Sequence, residues 1–77
     1  MTIHVKYFAS LRESIGRGSD DVHVGGSVTV EELWKRATKN MQRPDNLLVA
    51  VNQEYANFSN KVKDGDEVAF FPPVTGG

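Results

Sequence analysis

The sequence predicts an α+β fold, a mixed β-sheet packed on one face by one main helix. Three observations carry that expectation: a period-two segment at the N-terminus, one capped amphipathic stripe in the middle, and short apolar runs after it.

Residues 2–8 alternate, with Ile3, Val5 and Tyr7 facing one way and Thr2, His4 and Lys6 the other, as in a half-buried strand. Phe8 falls on the polar side and breaks the pattern. Gly16 and Gly18 flank a polar turn, Val22 and Val24 face inward on a second short strand, and Gly25-Gly26 closes it. The helix signal is stronger. Thr29 and Glu32 fit a capping box, in which each side chain satisfies a free backbone N–H of the first turn. Val28 and Leu33 take the two positions of a hydrophobic staple around it. Val30, Leu33, Trp34, Ala37 and Met41 fall on one helical stripe. Glu31–Lys35 and Glu32–Arg36 are spaced for ion pairs along the exposed side, and Asn40 and Pro44 bracket the stop.

Residues 47–51 are almost continuously apolar, which predicts a strand covered on both faces or central in its sheet. Asn52-Gln53-Glu54 turns the chain, Tyr55 starts a short return strand, and Phe58 is expected to plug the core. Asp64-Gly65 makes a tight turn into a last strand, where Val68 and Phe70 alternate with Glu67, Ala69 and Phe71. The order is strand, strand, helix, strand, short strand, strand. Such an order lets the first and last strands lie side by side and parallel in mid-sheet, which is a β-grasp, or ubiquitin-like, architecture. The expected division is a domain over residues 1–71 and an extended tail over 72–77.

A chain of 77 residues buries only about 60–65% of its unfolded surface, so one small core is expected. With no cysteine, the chain has no disulfide, thiol nucleophile or Cys-based metal site. Nine basic against ten acidic residues give a net charge of −1, with no basic block for nucleic acid or an anionic membrane. The apolar run at 47–51 is far too short to span a bilayer. These features predict a cytoplasmic domain with neither nucleic acid nor membrane as partner. His4 and His23 point outward without a carboxylate or third ligand at a recognisable spacing, and no phosphate loop or nucleophile elbow is present. The domain is expected to bind no metal or cofactor and to be no catalyst alone.

The reactive end is the tail. Pro72 forces Phe71 into an extended conformation, and Pro73 keeps the chain extended after it. Neither proline has an N–H, so the sheet ladder cannot continue. Val74 and Thr75 lead to Gly76-Gly77, which adds no side-chain bulk and could enter a narrow channel. The terminal carboxylate is an anion at neutral pH and a poor electrophile, so chemistry there requires prior activation, most simply as an acyl-adenylate made by a separate enzyme using ATP. In the absence of a thiol, any sulfur carried must sit on Gly77 as a thiocarboxylate. By parity, Phe8 and Phe71 both fall on the outer sheet face near the root of the tail, as a docking patch would. The alternative is that Leu48 or a loop covers them.

Three stretches, YFASLRESIG at 7–16, VAVNQE at 49–54 and DGDEVAFFPPVTGG at 64–77, resemble the small, sulfur-carrier subunit of molybdopterin synthase, the MoaD family. The resemblance implies a β-grasp fold and a terminal glycine, here Gly77, that a MoeB-type enzyme adenylates before it becomes a thiocarboxylate. It implies a sulfur donor such as a cysteine desulfurase or rhodanese, and a heterotetrameric synthase in which the tail, Val74, Thr75 and Gly76 with Gly77, inserts into a MoaE-type large subunit. There sulfur would pass to cyclic pyranopterin monophosphate to build the molybdopterin dithiolene. Phe8 and Phe71, with Pro72 and Pro73, would match the partner-facing surface. Residues 17–46 carry no functional assignment. Carriers for thiamine thiazole or tRNA thiolation would share the fold and the Gly-Gly end but typically lack the Phe-Phe-Pro-Pro approach. A ubiquitin-like interaction module would not need its carboxylate.

Overall fold

The computed structural model describes residues 1–73. Its main sheet contains β1 (Thr2–Tyr7), β2 (Ser19–His23), β4 (Leu48–Val51), β5 (Glu54–Ala56) and β7 (Glu67–Phe71), in the order β2-β1-β7-β4-β5. β1 and β7 run parallel, with Tyr7 opposite Phe70, and the other three pairings are antiparallel. The first and last strands are therefore neighbours within the sheet, as the β-grasp order requires. A separate ribbon joins β3 (Val28–Thr29) to β6 (Lys61–Val62).

The main helix is α2 (Val30–Thr38). Its capping box closes as the sequence predicts: Glu32 N–H donates to Thr29 Oγ1 and Thr29 N–H to Glu32 Oε1. Val28 and Leu33 of the staple are both buried. The stripe ends earlier than expected, however. Lys39 and Asn40 adopt left-handed φ of 56° and 65°, so Met41 leaves the helix and its side chain is exposed. Only its backbone is held, accepting from Trp34 Nε1 at 2.9 Å. Neither expected i,i+4 ion pair closes, because the first-turn Glu32 turns back to the cap.

A second helix, α1 (Ala9–Ile15), was not expected from the sequence. It has no capping side chain at its N-terminus and buries one residue, Leu11; Gly16 in the left-handed region ends it. A seven-residue helix repays its nucleation cost only through tertiary contact, so its periodicity is hard to read. Leu11 joins the same buried cluster as Ile3, Val5, Tyr7, Leu33, Trp34, Val49, Val68 and Phe70.

Phe70 is the centre of that core. The Trp34 ring meets it edge-on at 5.0 Å, and Tyr7 and Phe58 stack near it at 6.3 and 6.1 Å. Such pairs contribute about 0.5–1.5 kcal/mol each beyond burial. Phe58 plugs the core only partly, with the Arg43 guanidinium 4.0 Å over its ring. The apolar run at 47–51 was expected to be covered on both faces or central. β4 instead lies second from the edge, and only Val49 in it is fully buried. Among the described residues, no helix is long and apolar enough to cross a membrane.

Candidate functional site

The strand that leads into the tail is the middle strand of the sheet. β7 has a hydrogen-bonded neighbour on each side, and its inward Val68 and Phe70 are fully buried. The direction in which the chain leaves at Pro72 is therefore fixed by the most constrained strand in the molecule. Phe71 is the last residue of β7 and lies on the outer face, half-buried.

Phe8 does not sit on the β1 strand, as parity alone suggested; it is the extended N-cap residue of α1, immediately past the strand. Its N–H donates to Phe70 O at 3.2 Å, which continues the β1–β7 register and brings Phe8 beside Phe71 along the backbone. Ala9 follows at φ +54°, a left-handed conformation for a residue with a Cβ. That turn lets the chain enter α1 while Phe8 stays outside, 47% exposed. A strained residue next to an exposed aromatic is the kind of local cost found at working surfaces.

The outer face has a third aromatic that parity could have supplied. Tyr55 on β5 pairs with Ala50 across the sheet and so points outward, while Val49 and Ala56 point in. It is 81% exposed and its ring lies 6.0 Å from that of Phe71. Leu48 stands opposite Phe71 on β4 and is itself half-buried. Leu48 and Tyr55 therefore frame Phe71 and extend the apolar surface rather than hiding it. An exposed Tyr at this density of apolar neighbours marks an interaction surface.

The other half of the outer face is polar. His4 Nδ1 lies 2.8 Å from Asp21 Oδ1, and Lys6 Nζ lies 3.4 Å from Glu67 Oε2. No sequence spacing puts a carboxylate beside His4, since Asp21 reaches it only through the β1–β2 register. Both members of the pair are well exposed, and no group of three potential metal ligands occurs among the described residues. Among the described residues, Tyr7 carries the one strongly displaced titration: burial, then its hydrogen bond to Asp20, pushes the phenol well above its ordinary value. Arg17 holds the same Asp20 and donates to Ala37 O, so this cluster ties β1, β2 and α2 together beneath the sheet.

Of the expected site, Phe8, Phe71, Pro72 and Pro73 are placed around one end of the sheet. Val74, Thr75, Gly76 and Gly77 lie outside the described residues.

Comparison with known proteins adds to this geometry. Residues 5–77 match the model of the ThiS family. The molybdopterin synthase sulfur carrier subunit of Escherichia coli is 42% identical over 97% of this chain and 99% of its own. SAMP1 from Haloferax volcanii superposes with a TM-score of 0.85 over the whole of both chains, at 29% identity. The complex of subunits 1 and 2 of the molybdopterin-converting factor from Helicobacter pylori contains a chain that matches with a TM-score of 0.69 over the whole of both chains, at 22% identity, a likeness of fold. With parallel central strands, an outer aromatic face at the tail root and a match along nearly its whole length, the chain belongs to the ThiS family.

Proposed function

We propose that this chain is the sulfur-carrier subunit of a molybdopterin synthase and that its chemistry passes through Gly77. The observation that carries the reading is the near full-length similarity to a relative named for that role, at 42% identity. The geometry supports it. A central strand whose inward Val68 and Phe70 are fully buried aims the chain outward at Pro72, beside an apolar face formed by Phe8, Phe71 and Tyr55.

In this reading a MoeB-type enzyme binds the chain and its ATP. The Gly77 carboxylate attacks the α-phosphorus and pyrophosphate leaves. The terminal sulfur of a persulfide on a donor such as a cysteine desulfurase or rhodanese then displaces AMP at the glycyl carbon to give an acyl disulfide. A second thiol cleaves its S–S bond, leaving the thiocarboxylate on Gly77 and a disulfide on the donor side. The tail, residues 74–77, enters a MoaE-type large subunit, and Phe8, Phe71 and Tyr55 dock against it with Pro72 and Pro73 at the rim. The sulfur goes to cyclic pyranopterin monophosphate. The carrier supplies position and one reactive atom, while the activating enzyme and large subunit supply the remaining catalytic groups. The cytoplasm is the compartment that fits ATP-dependent activation.

The test is intact mass. Incubated with the activating enzyme, ATP and a sulfur source, the chain should gain one sulfur-for-oxygen difference located at Gly77. The loaded form should then restore molybdopterin formation by the large subunit. A chain that gains no sulfur, or gains it elsewhere, overturns the reading.

A further inference from the structure

Beside the tail root, on the side opposite the aromatic face, α1 and the segment after Pro44 leave a cleft of 220 Å³. Leu11 and Ser14 of α1 form one wall, Pro44 and Leu47 the second, and Pro72 and Pro73 the third. Asp45 stands in the lining as its one charged residue. Leu11 and Leu47 are buried, whereas Ser14 is exposed at the mouth.

We propose that this cleft is a second anchor point for the protein that takes the tail, and that it accepts one large apolar side chain of that partner. The inference rests on the carrier reading above and deepens it. Three observations support this occupant. The volume is below the ~300–1,000 Å³ of pockets that hold cofactors or drug-sized ligands, but ample for one side chain. Five of the eight lining residues are leucine or proline, and the polar three, Ser10, Ser14 and Asp45, are too few to orient a polar small molecule from several sides. The third observation is reach. Four residues follow Pro73, and fully extended they span only about 14 Å. A partner that brings Gly77 to an interior reaction centre must therefore close directly against Pro72 and Pro73. Those residues are a wall of the cleft, so the partner's surface meets its mouth.

A buried apolar anchor in a preformed pocket, ringed by contacts that exclude water, is the usual form of an interface hot spot. Here it would grip the tail root from the helix side while Phe8, Phe71 and Tyr55 grip it from the sheet side. The root would be held from two directions, which fixes its approach angle more tightly than one flat face can. Asp45 at the cleft favours a basic residue next to the inserted side chain.

Ser14→Trp tests the proposal, because the indole would fill the cleft from an exposed helix position without emptying the core. Binding to the purified large subunit should weaken tenfold or more, with the thermal midpoint of the free chain unchanged or slightly raised. Glu13→Trp places the same bulk on α1 away from this cleft and should bind normally. Ser14→Trp binding within twofold of the parent overturns the proposal, and so does an equal loss in Glu13→Trp, which would assign the effect to bulk alone. Failure of the unmodified chain to bind the large subunit overturns the carrier reading and this inference with it. Normal parent binding with an indifferent Ser14→Trp removes only the cleft.

Discussion

At the scale of single residues, Tyr7 shows how one side chain serves both core and polar network. Its ring is buried against Phe70, and its hydroxyl donates to Asp20 Oδ2 at 3.0 Å. Burial and the carboxylate both oppose ionisation of the phenol, which raises its pKa in the folded state. The unfolded chain releases that proton near pH 10. Above pH 10 the folded state therefore binds more protons than the unfolded state, and stability falls as pH rises, by up to about 1.4 kcal/mol per pH unit for one proton. Below pH 10 the contribution is complete and independent of pH. Tyr7→Phe should remove this alkaline slope while costing about 1–1.5 kcal/mol at pH 7 for the lost hydrogen bond. Chemical denaturation at pH 8 and pH 11 reads both effects. A variant that keeps the parent's alkaline slope would show that another group is responsible.

At the scale of elements, what could be read in the sequence depended on whether the determinants were local. The capping box and staple of α2 are contained within six residues, 28–33, and formed as predicted. The parity of β1 and β7 also survived, because one side of each strand faces a core that tolerates no polar residue. α1 was not legible, since a single buried Leu11 gives no stripe and its N-terminus has no capping side chain. Gly16 was the available signal: a glycine one turn beyond Leu11 reads as a helix end as well as a turn. Tyr55 was recognised as strand but not as surface, because its outward direction follows from its pairing with Ala50. The turn before it was legible in part. Asn52 and Gln53 both have positive φ, 51° and 70°, which is the two-residue hairpin geometry that prefers Asn-Gly. Asn52 also bridges to Asp66 and to the Glu67 N–H, so it cannot be replaced without loss. Gln53 has no such bond among the described residues, and its Cβ is the cost. Gln53→Gly should stabilise the domain by roughly 0.5–1 kcal/mol, the left-handed penalty less the added backbone entropy of glycine. Thermal unfolding should then shift upward by a few degrees. An unchanged or lowered midpoint would mean that the turn carries no strain.

At the scale of the whole molecule, stability and chemistry are carried by neighbouring residues that face opposite ways. Phe70 points into the core, fully buried and touched by three other aromatics; Phe71, the next residue, points out beside Tyr55. Emptying the first site should cost about 3–5 kcal/mol of folding stability, a large share of what so small a domain can hold. Phe71→Ala removes a half-buried ring, so it should cost the free chain clearly less. It should weaken binding to the large subunit by a few kcal/mol, as aromatic anchors do. Deleting Gly77 separates the functions a third way, because β7 ends at Phe71, six residues before it. That deletion should leave the thermal midpoint unchanged and abolish sulfur loading. Thermal unfolding, partner titration and intact mass on the three variants therefore give three distinct patterns: stability lost, docking lost, chemistry lost. The opposed-face arrangement fails if Phe71→Ala destabilises the free chain as much as Phe70→Ala while partner affinity holds. The assignment of the chemistry to the terminus fails if the chain without Gly77 still gains sulfur.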